Sequence, residues 1–157
     1  MVGWEEVGSA RLRPTTIAQQ WKSDSALLAL RQGAKLILSP ASKAYLDMKY
    51  TPYTELGLNW AGFVELRTAY DWDPVTYLSG VQERAVAGVE APLWTETVQN
   101  ITAAQYLVMP RLPAIAEVGW SPASERDWES FRRRIAAHAA RWRLLGVNYY
   151  PSPQVAW

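Results

Sequence analysis

Cysteine is absent from this chain, and histidine occurs once, at position 138. The first absence excludes disulfides and thiolate metal sites and leaves the redox compartment open. The second leaves zinc without its usual nitrogen ligands, so neither a metal nor another cofactor is expected. Phenylalanine is scarce, with two residues. No apolar run reaches the roughly 18 residues that a membrane-spanning helix needs. Neither sign of charge is in excess: 16 Lys and Arg face 15 Asp and Glu, for a net charge of +1. Nothing in that balance points to nucleic acid, and the run Arg132-Arg133-Arg134 lies in a helical pattern and reads as a solvated face. The opening "MVGWEEVGSA" lacks the basic and long apolar regions of a signal peptide. It reads like the inside of a domain, whereas "GVNYYPSPQVAW" reads like a natural domain end. Truncation is therefore expected only at the front.

What the chain does have is 157 residues, 49% of them hydrophobic and 20% charged, enough for one ordinary domain with a core. It also has nine Trp and eight Tyr. Packing alone would favour Phe, Leu and Ile. Trp and Tyr join an apolar body to a polar handle and suit places where a partner is gripped.

Alternating strand and helix signals run along the sequence. "MVGWEEV", "TTIAQQW", "AKLILSP" and "RAVAGVEAPLW" read as strands. Ser23 or Asp24 is expected to cap a helix over Ala26 to Leu30 that Gly33 ends. A short helix is expected from Phe63 to Tyr70. Asn100 is expected to cap "ITAAQYLVMPRLPAIAEVGW", which Pro110 and Pro113 must kink or split. A final helix is expected from Ser124 to Leu145, with Trp128, Phe131, Ile135, His138, Trp142 and Leu145 on one apolar face and Gly146 at its end. On that reading His138 is a partly buried structural residue rather than a catalyst. Strands alternating with helices argue for α/β with parallel strands. A complete (β/α)8 barrel takes about 250 residues, so four strands make either a small open α/β domain or part of a barrel.

Trp4, Trp21, Tyr45 with Asp47, and Trp94 with Glu96 fall at or just beyond successive strand ends, the edge where parallel α/β folds build their sites. In "KAYLDMK" and "EAPLWTET" a ring and an acid stand at i, i+2, which on a strand share one face. A ring beside a carboxylate suits a sugar, which offers apolar faces and hydroxyls. The same spacing also suits a core ring with a surface neighbour. Both a shared aromatic pocket and separate packing roles remain open at this point.

"VGWEE", Gln19-x-Trp21, "YLD" at Tyr45 to Asp47, "LNWAG" around Trp60, "YDWDP" at Tyr70 to Pro74, "GVEAPLWTE" and "MPRLPAIAEVGWS" follow one another in order. That ordered set resembles the C-terminal half of the catalytic domain of glycoside hydrolase family 20, the β-N-acetylhexosaminidases, over essentially residues 1–157. The resemblance implies a partial (β/α)8 TIM barrel, about strands five to eight. It implies that Trp4, Trp21 and Trp94 wall a pocket for the N-acetyl group, and that the Tyr45 hydroxyl bonds the acetamido oxygen. Asp47 and Glu96 would bind sugar hydroxyls, and Trp60 would stack near the leaving group. The implied ligands are glycans ending in N-acetylglucosamine or N-acetylgalactosamine, and the implied reaction is substrate-assisted retaining hydrolysis. The family's adjacent Asp-Glu catalytic pair has no counterpart here. Glu5-Glu6 matches the acidic tail of the fifth-strand motif instead. These residues alone are therefore expected to be inactive and to pair with an N-terminal half of the barrel. A non-catalytic carbohydrate-binding module and a half-barrel completed by another chain are the alternatives, and self-association is expected of the isolated chain. Full-length relatives are often secreted, periplasmic or lysosomal, and this sequence leaves the compartment open.

Overall fold

A computed structural model describes residues 1–157. Strands β1 (Val2–Trp4), β2 (Ile17–Gln20), β3 (Lys35–Leu38) and β4 (Val86–Val89) form one sheet in the order of the chain, every pair parallel. Trp4 pairs with Gln19, Gln20 with Leu38, and Leu38 with Val89. All four carboxyl ends therefore open on the same side. Both outer edges, of β1 and of β4, have no neighbouring strand.

Helices α1 (Ala26–Arg31), α2 (Ala41–Ala44) and α3 (Leu66–Tyr70) lie within the crossovers, and α4 (Ile101–Val108), α5 (Arg111–Trp120) and α6 (Trp128–Leu144) follow β4. Leu36 and Leu38 of β3 and Ala18 of β2 are fully buried, together with Ala26 and Ala29 of α1, Leu66 and Ala69 of α3, and Ala114 of α5. Alanines at these contacts let helix backbones approach the sheet. Gly119 does the same for α5: a Cβ there would stand 2.6 Å from Cγ2 of Val89.

The elements depart from expectation where local groups find better partners than a longer helix or strand offers. β1 stops at Trp4 because the chain turns into a 3-10 segment, Glu5–Ser9, whose Gly8 packs on the backbone of α1. β4 stops at Val89, short of the expected Trp94, because its partner β3 ends opposite it at Leu38, whose carbonyl takes the Glu90 N–H at 3.1 Å. The Phe63–Tyr70 helix begins only at Leu66, because the Val64 N–H bonds the Lys49 carbonyl at 2.9 Å. Neither Ser23 nor Asp24 caps α1 through its side chain: Ser25 is the cap residue, and the Ser23 hydroxyl is bonded to Glu5.

Asn100 does cap α4, its side chain accepting the Ala103 N–H, and the chain divides at Pro110. Pro113 sits in the first turn of α5, where no intrahelical N–H bond is lost. The last helix starts at Trp128 rather than Ser124, with Asp127 accepting the Ser130 N–H at 2.6 Å. Ala123–Glu125 is a separate 3-10 turn, and Arg126 after it bonds the carbonyls of Tyr70 and Trp72. The buried stripe of α6 is Phe131, Ile135, Ala139 and Trp142. His138 is exposed and Leu145 is 67% exposed. At 3.6 residues per turn, Ala139 follows Ile135 on the core side and His138 falls beside it. His138 instead leans on Trp142, ring centroids 5.9 Å apart.

Candidate functional site

Trp4 is the last residue of β1, and Trp21 follows β2 directly. Tyr45 and Asp47 come from the loop after α2, beyond β3. Trp94 and Glu96 come from the loop after β4, and Trp60 from the long connection to α3. These seven side chains, with Glu6, line one cavity of about 390 Å3. Neither i, i+2 pair lies on a strand, contrary to the spacing argument: residues 45–47 and 94–96 are loop and turn. The tertiary fold brings them together instead.

Tyr45 is the hub. Its ring stacks near-parallel to Trp21 (16°, centroids 6.4 Å) and stands edge-on to Trp60 at 5.9 Å. It also meets Trp94 at 6.3 Å, and Trp94 meets Trp4 at 5.7 Å. Tyr45 is buried, whereas Trp60 and Trp94 are 51% and 42% exposed. The cup thus has a deep ring at its centre and accessible rings at its rim.

The segment carrying Tyr45 and Asp47 is fastened on every side. The Leu46 N–H bonds the Pro92 carbonyl at 2.8 Å, and the Asp47 carbonyl accepts the Leu58 N–H at 2.7 Å. Gly57, with φ +101°, makes that approach possible: a Cβ there would lie 2.8 Å from the Asp47 carbonyl oxygen. Beneath the segment lies Arg111, fully buried. Its guanidinium donates to the carbonyls of Leu46, Met48, Val64 and Leu107. It also rests over the Tyr50 ring at 3.8 Å. Arg111 was not among the expected site residues. Its signal was a lone cation at the head of an apolar helix, in "MPRLPAIAE". Glu6 was also missed as a lining residue, its signal being its place after the last residue of a site-bearing strand. A second polar tie crosses the strand ends, where the Gln19 amide donates to Ser39 Oγ at 3.0 Å and Glu90 Oε1 at 2.8 Å.

Burial pushes the Tyr45 phenol up to about 12, with the charges of Asp47, Glu5 and Glu6 adding to the effect against a hydrogen bond from the Trp94 side chain. Tyr45 is thus a phenol with an O–H to donate throughout the neutral range. Burial also raises the Asp47 carboxyl above its ordinary value, with Glu96 adding to the effect, while backbone N–H donors and Arg111 oppose it. Asp47 Oδ1 accepts the Trp94 N–H at 3.4 Å, and Oδ2 is buried with no partner in the protein. An orphaned buried acceptor in a cup is an opening for a donor from a ligand. No group of three or more His, Asp and Glu is placed to hold a metal ion.

Residues 1–123 match the family model described as "Glycosyl hydrolase family 20, catalytic domain". The chain belongs to glycosyl hydrolase family 20. It is 47% identical to a β-N-acetylhexosaminidase of Cellulomonas fimi over 161 aligned residues, covering 100% of this chain and 32% of that protein. The structure of the family 20 β-N-acetylhexosaminidase from Streptomyces coelicolor A3(2) superposes with a TM-score of 0.94 at 49% identity, covering 99% of this chain and 33% of that one. A mutant Streptomyces plicatus β-hexosaminidase, solved in complex with its product GlcNAc, gives a TM-score of 0.94 at 48% identity, with 99% and 33% covered. The chain therefore spans about a third of the length of these family 20 relatives. Those relatives are TIM-barrel enzymes, and the parallel α/β arrangement here agrees with that fold.

Proposed function

We propose that residues 1–157 are the C-terminal half of a family 20 barrel, with β1 to β4 as its strands five to eight, and that the cup holds a terminal, non-reducing N-acetylhexosamine. The observation that carries this reading is the convergence of Trp4, Trp21, Tyr45, Asp47, Trp60, Trp94 and Glu96 on one cavity. The product complex of the S. plicatus relative adds support.

In this reading Trp4, Trp21 and Trp94 enclose the acetyl methyl. The Tyr45 hydroxyl donates to the acetamido oxygen and holds it in line with the anomeric carbon. Asp47 Oδ2 and Glu96 accept bonds from hydroxyls at the far end of the ring, and Trp60 covers the leaving-group side. The acetamido oxygen then bonds to the anomeric carbon while the glycosidic C–O bond breaks. The departing oxygen takes a proton from a carboxylic acid. Water later reopens the cyclic intermediate with retention. The dry indole box keeps that intermediate from premature attack.

No adjacent Asp-Glu pair occurs in these 157 residues, and the proton donor is assigned to a part of the family domain that they do not span. The test uses purified chain. It is expected to bind N-acetylglucosamine in preference to glucose, followed by tryptophan fluorescence. It is expected to release an aryl alcohol from an aryl N-acetylglucosaminide no faster than buffer, since general acid catalysis is usually worth about 10² to 10⁴ in rate. Equal binding of the two sugars would overturn the acetyl pocket. Turnover that vanishes in Glu6→Gln would relocate the acid.

A further inference from the structure

Glu5 and Glu6 follow the last residue of β1, and the register that pairs Trp4 with Gln19 sets them beside the residues that leave β2. Glu5 is 3% exposed. Its Oε1 accepts the Ser23 N–H at 3.0 Å and the Ser23 hydroxyl at 2.7 Å, and its Oε2 accepts the Trp21 N–H at 3.3 Å. Glu6 Oε1 accepts the Trp21 indole N–H at 3.0 Å. One carboxylate therefore fixes the backbone on which Trp21 sits, and the other fixes the rotation of its ring. Charge-assisted bonds of this kind are about twice as strong as neutral ones. Trp21 lies just outside β2, on a bend, where its carbonyl accepts the Ala41 N–H at 2.8 Å and nothing but Glu6 fixes its indole N–H. Its plane, 16° from that of Tyr45 and edge-on to Trp60 at 5.9 Å, is one wall of the cup.

We propose that Glu5 and Glu6 are positioning residues for Trp21, and that Glu6, by locking the indole, sets how large an acyl group the cup accepts. This rests on the reading of the cup as an N-acyl pocket. A ring free to rotate would give way to a longer acyl chain, while a ring held by its N–H would not. Glu6 is itself exposed, so its replacement leaves the core intact.

The experiment uses the 157-residue chain with 15N-labelled tryptophan. Trp21 is assigned among the nine indole N–H signals by a Trp21→Phe variant. Glu6→Ala is expected to shift that signal, with a smaller shift at the adjoining Trp60, and Glu6→Gln, whose amide oxygen still accepts, to restore it. In parallel, N-acetyl- and N-butyrylglucosamine are titrated. Wild type is expected to favour the acetyl sugar by about 10-fold, the scale of one or two methylenes in a fitted pocket. Glu6→Ala should reduce that ratio toward 1, and Glu6→Gln should keep it. An unmoved indole signal, or an unchanged acyl preference in Glu6→Ala, overturns the proposal. Failure of wild type to bind either sugar overturns the N-acyl reading of the cup, and the specificity role with it, whatever the indole signal shows.

Discussion

Asp47 is held in an environment that disfavours its own charge. Burial raises its pKa, and Oδ2 has no partner. A carboxyl whose folded pKa is raised stabilises the fold below its ordinary pKa, and that contribution is lost as pH rises through the folded value. Ionised Asp47 therefore weakens the fold at neutral pH, and Glu65, raised by burial as well, acts in the same direction. We expect Asp47→Asn to raise the thermal midpoint at pH 7 by a few degrees, about 2–4 °C per kcal/mol at this size, while abolishing sugar binding. The fall in stability from acid toward neutral pH should be shallower in the variant. A lower midpoint at pH 7 would show that the charge is not the destabilising element. Tyr45→Phe removes only a hydroxyl. It should weaken N-acetylglucosamine binding by about 1–2 kcal/mol, roughly 10-fold, with the melting curve unchanged. Equal affinity in a titration would take the Tyr45 hydroxyl out of sugar recognition.

Helix α6 packs by one narrow stripe, and its neighbours along the sequence are not equivalent. Ile135 is 3% exposed, whereas His138 lies on the outside of the same helix. Ile135→Ala should cost about 2–5 kcal/mol, and His138→Ala should stay within about 0.5 kcal/mol, both read from denaturant unfolding. A second tie holds α6 to α5: Glu117 accepts from Arg134 at 2.7 Å and from the Tyr70 hydroxyl at 2.9 Å. Although burial pushes the Glu117 carboxyl up, the bonds from Arg134 and Tyr70 outweigh it and leave the pKa lowered. That contribution is present above the ordinary carboxylate pKa and lost as pH falls through the lowered value, opposite in sign to Asp47.

At the scale of the molecule, the sheet has two unpaired parallel edges, β1 and β4. Val2 on β1 is 58% exposed. A cleft of about 580 Å3 runs along β4 between Val86–Val89 and the end of α5. An open edge with apolar side chains beside it is a template for another strand. We expect the isolated chain to self-associate, giving a mass above one chain in size-exclusion chromatography with light scattering. A monodisperse monomer that unfolds in one sharp transition would instead mean that four strands suffice as an independent α/β unit.

The order of rings and acids along the chain, the alternation of strands with helices, the start signal at Asn100 and the stop signals at Gly33 and Pro110 were legible in the sequence. Each depends on a residue and its near neighbours: an amide that caps, a missing N–H, a missing Cβ. From the same order six of the cup residues could be named, and Trp60 came from the family resemblance alone. Their meeting could not be derived from spacing, since the two i, i+2 pairs lie on loops. Only the parallel register, Gly57 beneath Asp47 and the buried guanidinium of Arg111 bring those loops to one place. His138 shows the same limit at smaller scale, because a tolerant helical period fits it as well as Ala139, and the packing surface chose between them. Local chemistry determined which elements form, though tertiary partners set where some of them begin and end. Long-range contacts, which no window of sequence contains, decided which faces they bury and which side chains share the cup.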